Sequence, residues 1–289
     1  MSVVVLTHDR PAELGRTLEH LTALPEAPDV VVVDNDSRGA AVHEVVALFP
    51  GVDLVSLAAN VGAAGRNAGV LRARTPYVAF CDDDTWWRPG SLVLGADLLD
   101  RHPHLAVVSG RVLVGPDERD DPACVEMAAS PLRDRGGPGR ATLGYLAGAS
   151  IVRRSAFLEV GGYPRRYFLG GEEALVAIDL AAAGWELAYV TELVVHHHPS
   201  SLRDRRLRRR LLARNALWTA WLRRPAVRAL RVTARAAVGA VREPVLGLAL
   251  LEAIAGLPWV LRSRRVVPRR VEADLRLIEA RRAPGATAN

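Results

Sequence analysis

Apolar and polar positions alternate in blocks along the first third of the chain. Residues 2–6 form a β-branched run that breaks at Thr7-His8-Asp9-Arg10-Pro11, and Leu14, Leu18 and Leu21 then recur at helical spacing. Residues 29–33 are a second apolar run, closed by Asp34-Asn35-Asp36-Ser37. Residues 40–48 predict a helix that presents Val42, Val45 and Val46. A third strand is expected over 52–57, ended by Asn60-Val61-Gly62-Ala63-Ala64-Gly65-Arg66-Asn67-Ala68-Gly69. A fourth opens at Tyr77 and stops at Asp82-Asp83-Asp84, with Thr85-Trp86-Trp87-Arg88-Pro89-Gly90 following as turn material. Strands separated by helices rather than by tight hairpins predict an α/β fold with a mostly parallel sheet covered by helices.

The second half is less regular. A helix is expected over 91–99 and a strand over 106–114. Residues 115–140, rich in Pro, Gly, Asp and Arg, then read as a flexible excursion long enough for a mobile flap. Residues 145–153 read as a strand in which Ala147-Gly148-Ala149-Ser150 allow close approach of chain or ligand. Gly161-Gly162 and Gly170-Gly171-Glu172-Glu173 lead into a helix over 174–183, and a strand over 187–195 ends in His196-His197-His198-Pro199. The pattern divides the chain into a domain of residues 1–200, with halves meeting near residue 110, and a helical extension of residues 201–289.

Charge sharpens that division. Residues 1–200 carry 17 arginines against 26 acids, whereas 201–289 carry 21 against 6; lysine is absent. The basic tail suits phosphate, in nucleic acid or in an anionic membrane. Only 5% of residues are aromatic and no nucleic-acid motif accompanies the arginines, so specific nucleic-acid binding is not expected. Residues 201–224 have the composition of an interfacial helix, or of a helix packed on the domain with a solvated basic face. Helices are expected over 227–241 and 268–282, the last fading into a frayed terminus. The apolar segment 244–261 contains Glu252, Gly256 and Pro258, is short and interrupted for a spanning helix, and is expected to bury itself against the domain, a partner subunit or a membrane surface. Cys81 and Cys124 make neither a disulfide framework nor a thiolate metal site, which favours a reducing compartment. The amino terminus shows no signal-peptide pattern, so a cytoplasmic location, peripheral on the inner membrane face, is expected.

In a parallel α/β sheet, ligands gather at the carboxyl ends of strands. Thr7 to Arg10, Asp34 to Ser37, Asn60 to Asn67 and Asp82 to Asp84 all fall there. Each can serve as a local cap or turn, but four on one sheet edge point to a nucleotide-sized site. Crowded carboxylates resist burial unless a cation or donors offset them, which makes Asp82 and Asp84 candidates for a divalent cation. An acidic run is equally at home at a helix N-terminus or in a solvated turn. Arg66 suits a phosphate or the surface. Glu172 and Glu173 stand where a helix start favours acids, and Asp179 reads as a structural or surface acid. Alternation places His196 and His198 on one face, where imidazole suits a cation beside carboxylates; a surface histidine loop is the plainer reading.

Together, Thr7-x-x-Arg10, Val33-Asp34-Asn35-Asp36-Ser37, Asn60-x-Gly62-x-x-Gly65-Arg66-Asn67-x-Gly69, Asp82-x-Asp84 and Gly161-Gly162 with Phe168 before Gly171-Glu172-Glu173 resemble the inverting nucleotide-sugar glycosyltransferases of family 2. Gly184-Trp185 and His196 also fit, so the resemblance covers roughly residues 3–200. It implies a GT-A fold, Rossmann-like, and a metal-dependent, hexosyltransferase-like enzyme. Its substrates would be a nucleoside-diphosphate sugar and an acceptor hydroxyl, lipid-linked or on a polysaccharide. Thr7, Arg10, Asp34, Asn35, Asp36, Asn60, Gly62, Arg66, Asn67, Asp82 and Asp83 would then line the nucleotide side. Asp84, with Asp82 and either His196 or His198, would hold Mg²⁺ or Mn²⁺. The family's Glu-Asp pair is Glu172-Glu173 here; position gives the catalytic base to Glu173 and leaves Glu172 open. Family members often have Arg where this chain has Asp179. Two other functions fit parts of the pattern: a sugar-nucleotidyltransferase, which would need a basic phosphate loop near the first strand, and a non-catalytic carbohydrate- or partner-binding module on the same scaffold.

Overall fold

A computed structural model describes residues 1–133, 136–199 and 204–282. The first four strands, β1 (Ser2–Thr7), β2 (Asp29–Asp34), β3 (Asp53–Ser56) and β4 (Tyr77–Asp82), pair in parallel in the order β3-β2-β1-β4. Helices α1 (Pro11–Thr22), α2 (Ala41–Ala47) and α3 (Arg66–Arg72) connect them. Leu14, Leu18 and Leu21 of α1 are fully buried, as their spacing requires. The stretch expected to be only a loop after β3 contains α3, which a 3-10 turn at Gly62–Gly65 introduces. Its three glycines had masked the helical pattern.

Beyond β4 antiparallel strands join the sheet, although most of its pairing is parallel as expected. Thr85–Trp87 is a short strand, β5, rather than turn material. Helix α4 (Ser91–Arg101) leads to β6 (Leu105–Val114) and the two-residue strand β7 (Arg119–Asp120). The excursion carries α5 (Pro122–Ala128), capped by the Asp121 side chain and anchored by buried Cys124, so it is not one structureless flap. After β8 (Arg140–Ala141), the strand expected from residue 145 narrows to β9 (Ser150–Arg153) behind a 3-10 turn at Ala147–Ala149. Helices α6 (Arg154–Glu159) and α7 (Glu172–Ala183) precede β10 (Glu186–His197). β9 lies antiparallel between β4 and β6; β10 runs parallel to β6 and antiparallel to β5. One apolar layer packs the sheet against α1, α2 and α4, and the other against α3, α6 and α7.

The extension contains α8 (Arg205–Arg223), α9 (Ala226–Arg242), α10 (Pro244–Ala255), α11 (Leu257–Ser263) and α12 (Arg269–Arg282). Leu217, Trp218 and Leu222 of α8 join Tyr167 and Leu175 in a seam with Ala253 and Val260. Helix α8 is therefore the packed helix of the two alternatives. No single described helix is long and apolar enough to cross a membrane; α10 and α11 together are, but they are bent by 56°. The frayed terminus expected over 284–289 lies outside the described residues.

Candidate functional site

The sheet register places Thr7 beside Asp34 and Leu6 beside Asp82, so the polar strand ends do meet along one edge. The Thr7 hydroxyl donates to Asp83 Oδ2 at 2.9 Å, and the Thr17 hydroxyl donates to the Asp83 carbonyl at 2.8 Å. Arg10 Nη1 reaches Asp83 Oδ1 at 3.2 Å and Asp84 Oδ2 at 3.5 Å. Burial pushes the Asp83 carboxyl up to about 7, against the pull of Arg10. Asp83 is thus an interior acid that ties β4 to the end of β1. Asp34 Oδ1 accepts from the Ser37 amide at 3.0 Å, with His43 Nε2 3.4 Å from the other oxygen; Asp36 is exposed at a left-handed φ of 67°.

The asparagines of this edge build its wall. Asn35 Nδ2 donates to Asn60 Oδ1 (3.0 Å) and to the Gly62 carbonyl (3.1 Å), while its Oδ1 accepts from the Val61 amide (3.0 Å). Asn60 Oδ1 also takes the Gly62 amide at 2.9 Å. Gly62 has φ +63°, and a Cβ there would sit 1.8 Å from the Phe168 carbonyl oxygen, so only glycine fits. Asn67 grips the Tyr163 backbone in both directions, donating to its carbonyl (2.8 Å) and accepting from its amide (2.9 Å). The Asn67 side chain joins the two halves, while that of Asn35 ties the end of β2 to the loop after β3.

The histidines also fall differently. β10 runs to His197, beyond the expected end at residue 195, and pairs His197 with Thr85 and His196 with Trp86 of β5. Its alternation puts His196 and His198 against the Trp86 ring, with centroids 5.9 and 4.9 Å away. The imidazole beside the acidic run is that of His197, whose Nε2 lies 3.5 Å from Asp84 Oδ1. His196 Nδ1 instead lies 3.2 Å from Glu118, and burial lowers the His196 pKa. Reading Thr85–Trp87 as a turn hid the register that sets this phase.

Arg66, at the start of α3, is buried and bonds the Asp82 carboxylate through Nη2. Burial opposes its charge, yet Asp82, Glu173 and Glu172 hold its pKa above the ordinary value. Glu172 is buried and pushed up to about 8, first by burial and then by Glu173. Half-buried Glu173 is raised too; burial leads, Arg66 pulls the other way, and Asp82 adds repulsion. Arg66 thus connects the acidic run to the glutamate pair through Asp82, whose side chain is 40% exposed. Asp84, 2% exposed, is turned toward Arg10 and His197. Gly148 makes room for Asp82, since a Cβ there would lie 2.8 Å from Asp82 Oδ2. Arg66 Nε, Glu172 Oε2 and the Tyr145 and Tyr163 hydroxyls are buried without hydrogen-bond partners among the described residues. Such groups are costly unless a ligand or solvent completes them.

The loop before Glu172 is held from the extension. Asn215 of α8, fully buried, donates Nδ2 to the carbonyls of Tyr167 (3.0 Å), Leu169 (3.2 Å) and Gly170 (2.6 Å). Arg214 Nη2 adds a bond to the Tyr167 carbonyl at 2.8 Å. Sequence reasoning missed Asn215, although its signal was present: Asn215 interrupts the Leu211, Trp218, Leu222 stripe that α8 buries. Asp179 is the structural acid expected of it, pairing with Arg223 Nη2 at 2.9 Å.

No group of three His, Cys, Asp or Glu among the described residues is arranged to hold a metal ion. Mg²⁺ and similar cations commonly take only one or two carboxylates, with substrate phosphate and water completing the shell. Asp82, Asp84 and His197 supply the oxygen and imidazole donors such a shared site uses, so the residues fit the group. A separate cavity of about 320 Å³, lined by Leu132, Trp185 and Leu277 among others, includes none of these residues.

The model of the family described as "Glycosyl transferase family 2" matches residues 2–161. The chain is 29% identical over 236 residues, covering 68% of itself and 76% of the relative, to the N-acetylglucosaminyl-diphospho-decaprenol L-rhamnosyltransferase of Mycobacterium tuberculosis (strain CDC 1551 / Oshkosh). It superposes on the mannosyltransferase PcManGT from Pyrobaculum calidifontis, solved with GDP-Man and Mn²⁺, with a TM-score of 0.60 at 20% identity, covering 99% of this chain and 76% of that one. Against GalNAc-T7 with UDP, GalNAc and Mn²⁺, the TM-score is 0.59 at 16% identity over 76% of this chain; the match spans 47% of that structure's length.

Proposed function

We propose, from the premise that this chain belongs to glycosyl transferase family 2 and has the GT-A fold, that it transfers a sugar with inversion from a nucleoside-diphosphate sugar to an acceptor hydroxyl. The observation that carries the reading is buried Arg66, bonded to Asp82 and close enough to Glu173 and Glu172 for their charges to raise its pKa, with Nε unpartnered among the described residues. A diphosphate leaving group needs positive charge where its negative charge develops. Arg66 already holds a sustained buried cation beside exposed Asp82. A divalent cation, Mg²⁺ or Mn²⁺, held by Asp84 and Asp82 with the His197 imidazole, would supply Lewis-acid stabilisation of that same charge.

Glu173 acts as general base. Burial raises its pKa, which makes the ionised carboxylate a stronger proton acceptor, and its partial exposure lets an acceptor hydroxyl reach it. The acceptor oxygen then attacks the anomeric carbon from the face opposite the departing diphosphate. That carbon–oxygen bond forms as the bond to the diphosphate breaks, and Glu173 takes the hydroxyl proton. Glu172, deeper and with an unpartnered oxygen, orients the acceptor or donor sugar in its neutral form. The relative that acts on a decaprenol-linked diphosphate supports a lipid-linked acceptor.

Screening UDP-, GDP- and dTDP-sugars with Mg²⁺ or Mn²⁺ tests this. Nucleoside-diphosphate release from at least one donor, lost on chelation, is expected; no release from any donor with a polyprenyl-diphosphate-sugar acceptor present would overturn it.

A further inference from the structure

Ten of the sixteen large apolar side chains exposed among the described residues lie between Val227 and Leu277, in the extension. They are not scattered. On α9, Val227, Leu230, Ala234, Val238 and Val241 follow one another three or four residues apart, which places them on one helical stripe. Val227, Leu230, Val238 and Val241 are 61, 69, 59 and 89% exposed. The opposite side is already used, since Val232 and Ala236 pack against the Tyr167–Trp218 seam and Ala229 is buried. Helix α9 contains no acid. Among the described residues, its exposed Arg231, Arg235 and Arg242 along the flank of the stripe have no ion-pair partner, whereas Arg228 is paired to Glu272 at 3.6 Å. Helix α10 packs on α9 and adds exposed Leu248 and Leu251.

We infer that the α9–α10 hairpin docks into the surface of an anionic lipid bilayer, with the Val227–Val241 stripe entering the acyl boundary and Arg231, Arg235 and Arg242 meeting lipid phosphates. Charge complementarity selects this occupant. An apolar stripe bordered by three unpaired arginines on an acid-free helix suits anionic headgroups over hydrocarbon, whereas a second copy of the same face would set arginine against arginine. The surface differs from the arginine-rich segment that opens the extension, because α8 is packed on the domain. Since α8 links this hairpin to the loop before Glu172 through Asn215, a docked hairpin would hold the glutamate end of the cleft close to the lipid.

The test uses the full chain without sugar donor, so its outcome is independent of the transfer reading. Flotation with phosphatidylcholine vesicles, with and without phosphatidylglycerol, is expected to recover the protein only on the anionic vesicles, with binding weakened by salt. Leu230→Gln, Val238→Gln and Val241→Gln combined should lower vesicle affinity by about a hundredfold. A polarity-sensitive fluorophore on Val241→Cys should shift to the blue on anionic vesicles, and one on exposed Leu48→Cys should not; this keeps the test decisive should the triple variant fold poorly. Failure to float with anionic vesicles, an unshifted label at residue 241, or a dimer dispersed by the triple substitution without any vesicle binding would overturn the inference.

Discussion

The two walls of the cleft are built on opposite principles. On the β1–β4 side, Thr7 and Arg10 bond Asp83, Asn35 bonds Asn60, and Asp34 accepts from the Ser37 amide. On the α3–α7 side, Arg66, Glu172, Tyr145 and Tyr163 each keep a buried polar atom without a partner among the described residues, and burial raises the pKa of both glutamates. The first side is mostly paired within itself, although His8 Nδ1 is buried without a partner among the described residues and burial pushes the Asp83 carboxyl up to about 7. The second side holds more of the buried groups left for a reactant to complete, and shifted pKa values of that kind gather in catalytic sites. Substitutions in the first wall should therefore act mainly through stability and placement, and those in the second mainly through turnover.

The largest effect that sharpens this contrast is expected at the hinge between the walls. Gly62→Ala forces a Cβ into the Phe168 carbonyl at a positive φ, and should leave little folded protein by thermal unfolding. Asn215→Ala removes the side-chain donor from the Leu169 and Gly170 carbonyls and one of the donors to the Tyr167 carbonyl, which keeps Arg214. It should cost about 2 kcal/mol in chemical denaturation and lower kcat with little change in donor KM, because the loop before Glu172 loosens while the nucleotide wall stands. An Asn215→Ala variant with unchanged kcat would separate the extension from the chemistry.

Protonation gives a finer test. The general base must be ionised, so kcat/KM should rise with pH along an acid limb lying above the usual carboxylate range. Arg66→Gln, which removes the charge that lowers both glutamate pKa values, should move that limb to still higher pH. Stability should run the other way. Glu172 is raised from 4.5 to about 8, so the folded chain binds a proton there that the unfolded chain has released between those values. Its contribution is present below the unfolded pKa and is lost as pH climbs toward 8. Glu172→Gln should thus melt higher than the parent at pH 8 and close to it at pH 5. An equal difference at both pH values would sink the assignment of a buried, neutral Glu172.

Much of the first wall was legible before the structure. Four apolar runs, each ending in polar residues, suffice to place Thr7, Asp34 and Asp82 on one sheet edge, because parallel β-α-β connections leave few alternatives. What side chains do at that edge was not legible. Asn35 and Asn67 satisfy backbone groups many residues away, which no local pattern encodes. The histidine phase was lost with β5: a three-residue strand after an acidic run has no periodicity of its own, and only its pairing with β10 fixes which imidazole meets Asp84. Conversely, Asn215 stood in the sequence as a polar break in an apolar stripe and could have been read.

The most direct measurement sets donor binding beside transfer for Glu173→Gln, using whichever nucleotide sugar the native chain turns over. Donor affinity within about twofold of the parent, with turnover reduced by about a thousandfold, is expected of a lost general base. Turnover within tenfold of the parent would contradict the account, since the raised carboxylate beside Arg66 would then have no part in activating the acceptor.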